Sequence, residues 1–137
     1  GGCEVGELAV LGPDVQLGPR CKVSMFASLQ DGVVMGEGCR VEERAIIRGA
    51  LRAGSNNPFQ QLVMIGGHSA HNKAERRGRI AIGSDCTFEI GAVVLAPRGM
   101  DGRDGLTSIG DGSFVHMRAE VSAERESACT RTCASIR

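Results

Sequence analysis

The sequence predicts an all-β fold, a parallel β-helix wound from six-residue repeats, and three observations carry that prediction. Stepping by six from Val5 gives Leu11, Leu17, Val23, Leu29, Met35, Val41 and Ile47, all aliphatic or Met. Four residues after each of the first seven stands Ala9, Val15, Cys21, Ala27, Val33, Cys39 or Ala45, every one of them small. Gly follows the large residue at Gly6, Gly12, Gly18 and Gly36, and the frame returns at Ile65-Gly66, Ile82-Gly83 and Ile109-Gly110. A period of six is not that of an amphipathic helix, whose apolar stripe recurs near every ~3.6 residues, and it is too short for a helical solenoid. It suits short strands joined by tight turns, with one large and one small side chain pointing inward in each repeat.

Three such strands close one triangular coil, and coils stack at the ~4.8 Å spacing of any parallel sheet. Chains of this hexapeptide class coil left-handedly, against the general right-handed crossover rule, so a left-handed parallel β-helix of about five coils is expected. The small inward residue follows from the narrow prism, where three faces converge and a bulky side chain would clash. Glycine is expected at the corners for tight backbone geometry. The helix is expected over residues 1–126, with two excursion loops at about 67–79 and 97–107, and residues 127–137 form an irregular tail. The first loop carries His68, His71, Lys73, Arg76, Arg77 and Arg79, and the second carries Arg98, Asp101, Arg103 and Asp104. Long loops on a regular scaffold are where function usually sits.

Composition agrees with this and closes off other classes. The 137 residues include 20 Gly and four Phe but no Trp or Tyr, so an aromatic-rich core is excluded. Sixteen basic residues balance 16 acidic ones, so no whole-protein charge favours nucleic acid. No apolar run approaches the ~18 residues of a membrane span. The chain opens at Gly1 without Met. Its compartment is therefore unknown, and residence in an organelle is left open if the chain is part of a longer precursor.

Cysteines and histidines are the candidate chemistry. Cys3, Cys21 and Cys39 lie 18 apart, one coil each, at the small inward position, and Cys86 shares it. They read as packing residues, because a straight stack of thiols cannot fill a tetrahedral metal site. Cys129 and Cys133 lack a companion pair or histidine at zinc spacing. His68, His71 and His116 could in principle hold a catalytic zinc, but they do not follow the spacing of the β-helical carbonic anhydrases, and they read as solvated histidines. No metal and no cofactor is expected. The basic run from Lys73 to Arg79 is a candidate RNA contact, diluted by Glu75.

From Asn56 to Glu124 the sequence resembles the acyl-[acyl-carrier-protein]–UDP-N-acetylglucosamine O-acyltransferases of lipid A synthesis. Asn57-Pro58-Phe59-Gln60-Gln61-Leu62-Val63-Met64-Ile65-Gly66 is similar to the coil before that family's excursion loop. Arg98-Gly99 followed by Gly105-Leu106-Thr107-Ser108-Ile109-Gly110 is similar to its second landmark. The resemblance covers about half of the chain. It implies the left-handed β-helix, a homotrimer, and Lys73 and His71 at loop positions that contact substrate. It also implies a histidine general base in the coil after Gly110, and that position falls on Ala123, with Glu124 beside it and Glu120 at an earlier histidine position. Alanine accepts no proton, and losing a positioned base removes about 10²- to 10⁴-fold in rate. His116 and Glu120 are the remaining candidates for a substitute base.

The expected function is therefore a non-catalytic, acyltransferase-like β-helix, retained as a structural or interaction subunit of a larger assembly of protein partners. The alternative is an active UDP-N-acetylglucosamine O-acyltransferase taking its acyl chain from acyl carrier protein in lipid A synthesis, with His116 or Glu120 as base. A zinc hydrase is a third and weaker reading.

Overall fold

The computed structural model describes residues 2–30, 32–67, 78–96 and 105–121. Seventeen short strands form three parallel sheets, the faces of a left-handed prism. The first face stacks β1 (Glu4–Val5), β4 (Lys22–Val23), β7 (Arg40–Val41), β10 (Pro58–Phe59), β13 (Thr87–Phe88) and β16 (Phe114–Val115). The second stacks β2 (Val10–Leu11), β5 (Ser28–Leu29), β8 (Ile46–Ile47), β11 (Met64–Gly67), β14 (Val93–Leu95) and β17 (Glu120–Val121). The third stacks β3 (Gln16–Leu17), β6 (Val34–Met35), β9 (Leu51–Ala53), β12 (Arg79–Ile82) and β15 (Leu106–Ile109). Six strands on two faces and five on the third make the stack slightly taller than the five coils expected. The extra height is the coil through β15, β16 and β17, where the hexad frame resumes after the second excursion.

The six-residue beat becomes columns of inward side chains, one per face. Val5, Val23, Val41, Phe59, Phe88 and Val115 run up the first face in register, and Leu11, Leu29, Ile47, Ile65, Val94 and Val121 run up the second. From Val23 upward these columns are buried. Val5 and Leu11, in the first coil, remain exposed, since among the described residues only one side of that coil has a neighbour.

The corner glycines serve a different purpose from the one the sequence suggests. Gly18, Gly36, Gly54 and Gly83 are not in the left-handed region. A Cβ at Gly18 would lie 2.6 Å from the Gly36 carbonyl carbon, and one at Gly36 would lie 2.8 Å from that of Gly54. Glycine is required there because stacked coils approach too closely for a methyl group. The left-handed turn residue is instead most often not glycine: Leu8, Asp14, Arg20, Phe26, Arg44, Asn56, Leu62, Asp85 and Arg118 all have φ between 57° and 62°.

Both excursions leave the same corner on successive coils. The chain quits the second face at Gly67 and rejoins the third at Arg79, then quits at Leu95 and rejoins at Leu106. Arg79 and Thr107, expected inside loops, are strand residues. Arg79 pairs with Leu106, and Thr107 is fully buried because it takes the small inward place on the third-face strand. The two fully buried polar side chains among the described residues serve these interruptions. Asn57 donates through Nδ2 to the carbonyls of Gly54 (3.3 Å) and Gly83 (2.8 Å) and accepts from the Cys86 backbone N–H (2.8 Å), clipping the coil before the first excursion to the coil after it. Thr107 donates its hydroxyl to the Leu95 carbonyl (3.1 Å), at the point where the second excursion departs.

Candidate functional site

The inward cysteines do more than fill space. Cys3, Cys21, Cys39 and Cys86 donate Sγ–H to the carbonyls of Gly18, Gly36, Gly54 and Gly110 in the next coil, at 3.0–3.2 Å. Asn57 occupies the same column and donates to Gly83. A polar ladder thus climbs the corner between third and first faces, each donor reaching a glycine carbonyl of the stack; those of Gly54 and Gly83 also accept a backbone N–H, from Gly36 and Gly54. Cys21, Cys39 and Cys86 are buried, whereas Cys3, in the first described coil, is exposed. Among the described residues no group of three His, Cys, Asp or Glu side chains could hold a metal ion.

Burial pushes the thiols of Cys21, Cys39 and Cys86 above their ordinary value of 9.0, because the thiolate would be poorly solvated inside the prism. At neutral pH they remain protonated donors. Near and above pH ~9 the unfolded thiols release protons that the folded ones keep, so the folded state binds more protons and stability falls as pH rises. Urea unfolding midpoints are expected to be level from pH 7 to 8 and to drop by pH 10. A Cys21→Ala/Cys39→Ala/Cys86→Ala variant should lose most of that drop, and an unchanged slope in it would show that other groups cause it.

His116 and Glu120, the substitute-base candidates, are not brought together. His116 follows β16 on the first face, where its Nδ1 lies 3.5 Å from Glu89 Oε1 and its ring meets Phe114 edge-on at 4.9 Å. Glu120 opens β17 on the second face, exposed and opposite Val93, with the turn Met117–Arg118 between it and His116. Glu89 was not singled out from the sequence, yet it was findable: Phe88 and Val115 are in register, so the residues after them stack. Glu89 thus stands beside Nδ1 of a half-exposed imidazole, a placement that can orient a base. Lys73 and His71, the family-loop positions, lie outside the described residues, as do Ala123, Glu124 and all of the basic run except Arg79. Arg79 starts β12, exposed, its backbone N–H donating to the Gly105 carbonyl (2.8 Å).

One further cation stands at the corner where the excursions leave. Arg48 lies below Gly66 in the stack, and its buried Nε has no hydrogen-bond partner among the described residues.

Over 104 residues the chain is 30% identical to the acyl-[acyl-carrier-protein]–UDP-N-acetylglucosamine O-acyltransferase of Brucella ovis, and equally to that of Brucella melitensis. The match takes in 75% of this chain and 37% of the Brucella ovis protein, so the chain corresponds to little more than a third of that relative's length. Among solved structures, the acetyltransferase domain of PglB from Neisseria gonorrhoeae aligns with 84% of this chain and 51% of that one, at 16% identity and a TM-score of 0.43. Its complex with acetyl coenzyme A aligns at 14% identity and a TM-score of 0.47. No protein-family model matches the chain. The protein has an acyltransferase-like, hexapeptide-repeat fold.

Proposed function

We propose, for a chain related in sequence to the acyl-[acyl-carrier-protein]–UDP-N-acetylglucosamine O-acyltransferases, that it is a non-catalytic member of that lineage, serving as a rigid interaction module in a larger assembly. The observation that carries this reading is Ala123 at the position where the resemblance calls for the general-base histidine. The geometry of the substitutes supports it. Glu120 and His116 lie on different faces of the prism, so neither supports the other as a base. The interior is built for rigidity, since every inward column carries side chains of fixed register and the polar ladder ties coil to coil.

An active acyltransferase is the second reading, and the His116–Glu89 pair is what favours it. Incubation with acyl-[acyl carrier protein] and UDP-N-acetylglucosamine separates the two. The expected result is no acyl transfer above the uncatalysed rate and no binding of the nucleotide sugar by calorimetry. Transfer that His116→Ala abolishes would overturn the module reading and make the imidazole the base.

A further inference from the structure

The three corners of the prism differ in what they show to solvent. Leu8, Met25, Phe26, Leu62, Ile90 and Met117 are all large, apolar and exposed, and all six are turn residues of the corner between first and second faces. At the other two corners the described turn positions hold Pro13, Asp14, Pro19, Arg20, Gly32, Glu37, Gly38, Asn56, Asp85, Asp111 and Gly112 among others, and no large exposed apolar side chain. Backbone conformation sharpens the contrast. The left-handed turn place, which suits Gly, Asn and Asp, is given at the apolar corner to Leu8 (φ 58°), Phe26 (φ 61°) and Leu62 (φ 62°). Bulky side chains are held out to solvent in a conformation they disfavour, and nothing inside the prism gains from it.

We propose that this ridge is the interface of a twofold dimer in which a second copy of the chain lies antiparallel, ridge on ridge. Along the ridge the left-handed residues run Leu8, Phe26, Arg44, Leu62, Gly91, Arg118, and the residues before them run Glu7, Met25, Glu43, Gln61, Ile90, Met117. Reversing one copy sets the Phe26 level against the Gly91 level, so a ring meets a backbone without a side chain of its own, between Ile90 and the stem of Arg118, whose Cγ lies 3.5 Å from where a Cβ on Gly91 would stand. The same reversal sets Arg118 against Glu7 and Met117 against Leu8. A parallel ridge-on-ridge arrangement would instead put Arg118 against Arg118 and ring against ring. The Arg44 guanidinium lies over the Phe26 ring, 5.6 Å from its centroid, holding the ring along the ridge. Five intervals of ~4.8 Å make the ridge about 24 Å long, an area at the low end for specific association, so micromolar affinity is expected.

This inference rests on reading the chain as an interaction module and names the module's first partner. Sedimentation of the full chain between about 1 and 100 µM is expected to show a monomer–dimer equilibrium. Phe26→Glu/Leu62→Glu should be monomeric throughout, with unchanged circular dichroism. Arg118→Glu should weaken the dimer roughly tenfold or more, and Glu7→Arg added to it should restore the affinity. A monomer at the highest concentration, a trimer, or a dimer indifferent to the charge reversal would overturn the proposal. Acyl transfer by a chain that still dimerises as expected would count against the module reading alone.

Discussion

Gly66→Ala is expected to cost about 2–5 kcal/mol, enough to leave much of the chain unfolded, since stabilities of single domains run to only ~5–15 kcal/mol. Two effects add at this position. Gly66 has φ +88°, where a side chain costs roughly 1–2 kcal/mol. A methyl built on it also falls inside the van der Waals radius of the Arg48 carbonyl oxygen, and that atom is backbone, fixed because the Arg48 N–H donates to the Ile65 carbonyl at 3.0 Å. The pairing of β11 with β14 shifts register between Ile65 and Gly67, so Gly66 is the bulge that turns the chain out of the stack. Gly110→Ala is the control. It occupies the same place in its hexad, yet among the described residues nothing lies within 4 Å of its absent Cβ, and the change should fall within about 0.5 kcal/mol. Urea unfolding with unchanged slope measures both. Equal costs for the two would mean that the bulge, and with it the placing of the first excursion, is misread.

The contrast between these two glycines also shows what the sequence could and could not reveal. Inward residues were legible because a period of six leaves no alternative assignment: Val23, Leu29, Met35, Val41 and Ile47 are all buried as expected. The repeat also marks Gly18, Gly36, Gly66 and Gly110 alike, because hexad position does not record how closely a neighbouring coil approaches. Close approach and positive φ are properties of the stack and escape a one-dimensional pattern. The cysteines illustrate the same limit. Their 18-residue spacing gave their inward position, but the hydrogen bonds to glycine carbonyls 15 residues on, or 24 for Cys86, required the coil geometry. At the candidate site, His116 was visible as a residue type, and Glu89 became its neighbour only through the register that sets Phe88 against Val115. The apolar corner was missed because Leu8, Phe26 and Leu62 read as stray exposed residues until a 54-residue stretch of chain is folded into four coils. Each is one coil or two from the next, on one edge.

Phe59→Ala should cost about 3–5 kcal/mol, the usual range for emptying a buried phenylalanine site. Phe59 and Phe88 are both fully buried and stack with centroids 4.9 Å apart and planes 12° from parallel. Among the described residues they are the only aromatic pair in the inward columns, and they occupy the coils immediately before and after the first excursion. Room for them comes from elsewhere in the prism: Ala53 is the smallest member of its column, which otherwise holds Leu17, Met35, Ile82 and Ile109. Phe59→Leu keeps most of the volume and should cost less than about 1.5 kcal/mol. Position in the stack adds a directional expectation. Between these coils the chain makes its excursion from Gly67 to Arg79, and the described contacts that join them are strand pairing, the Asn57 clip and the two rings. Hydrogen exchange in Phe59→Ala should therefore rise first in β13, β14, β16 and β17, while β4 to β8 keep their protection. A uniform rise across both halves would show that the rings contribute only bulk, and that the excursion is no weak point of the helix.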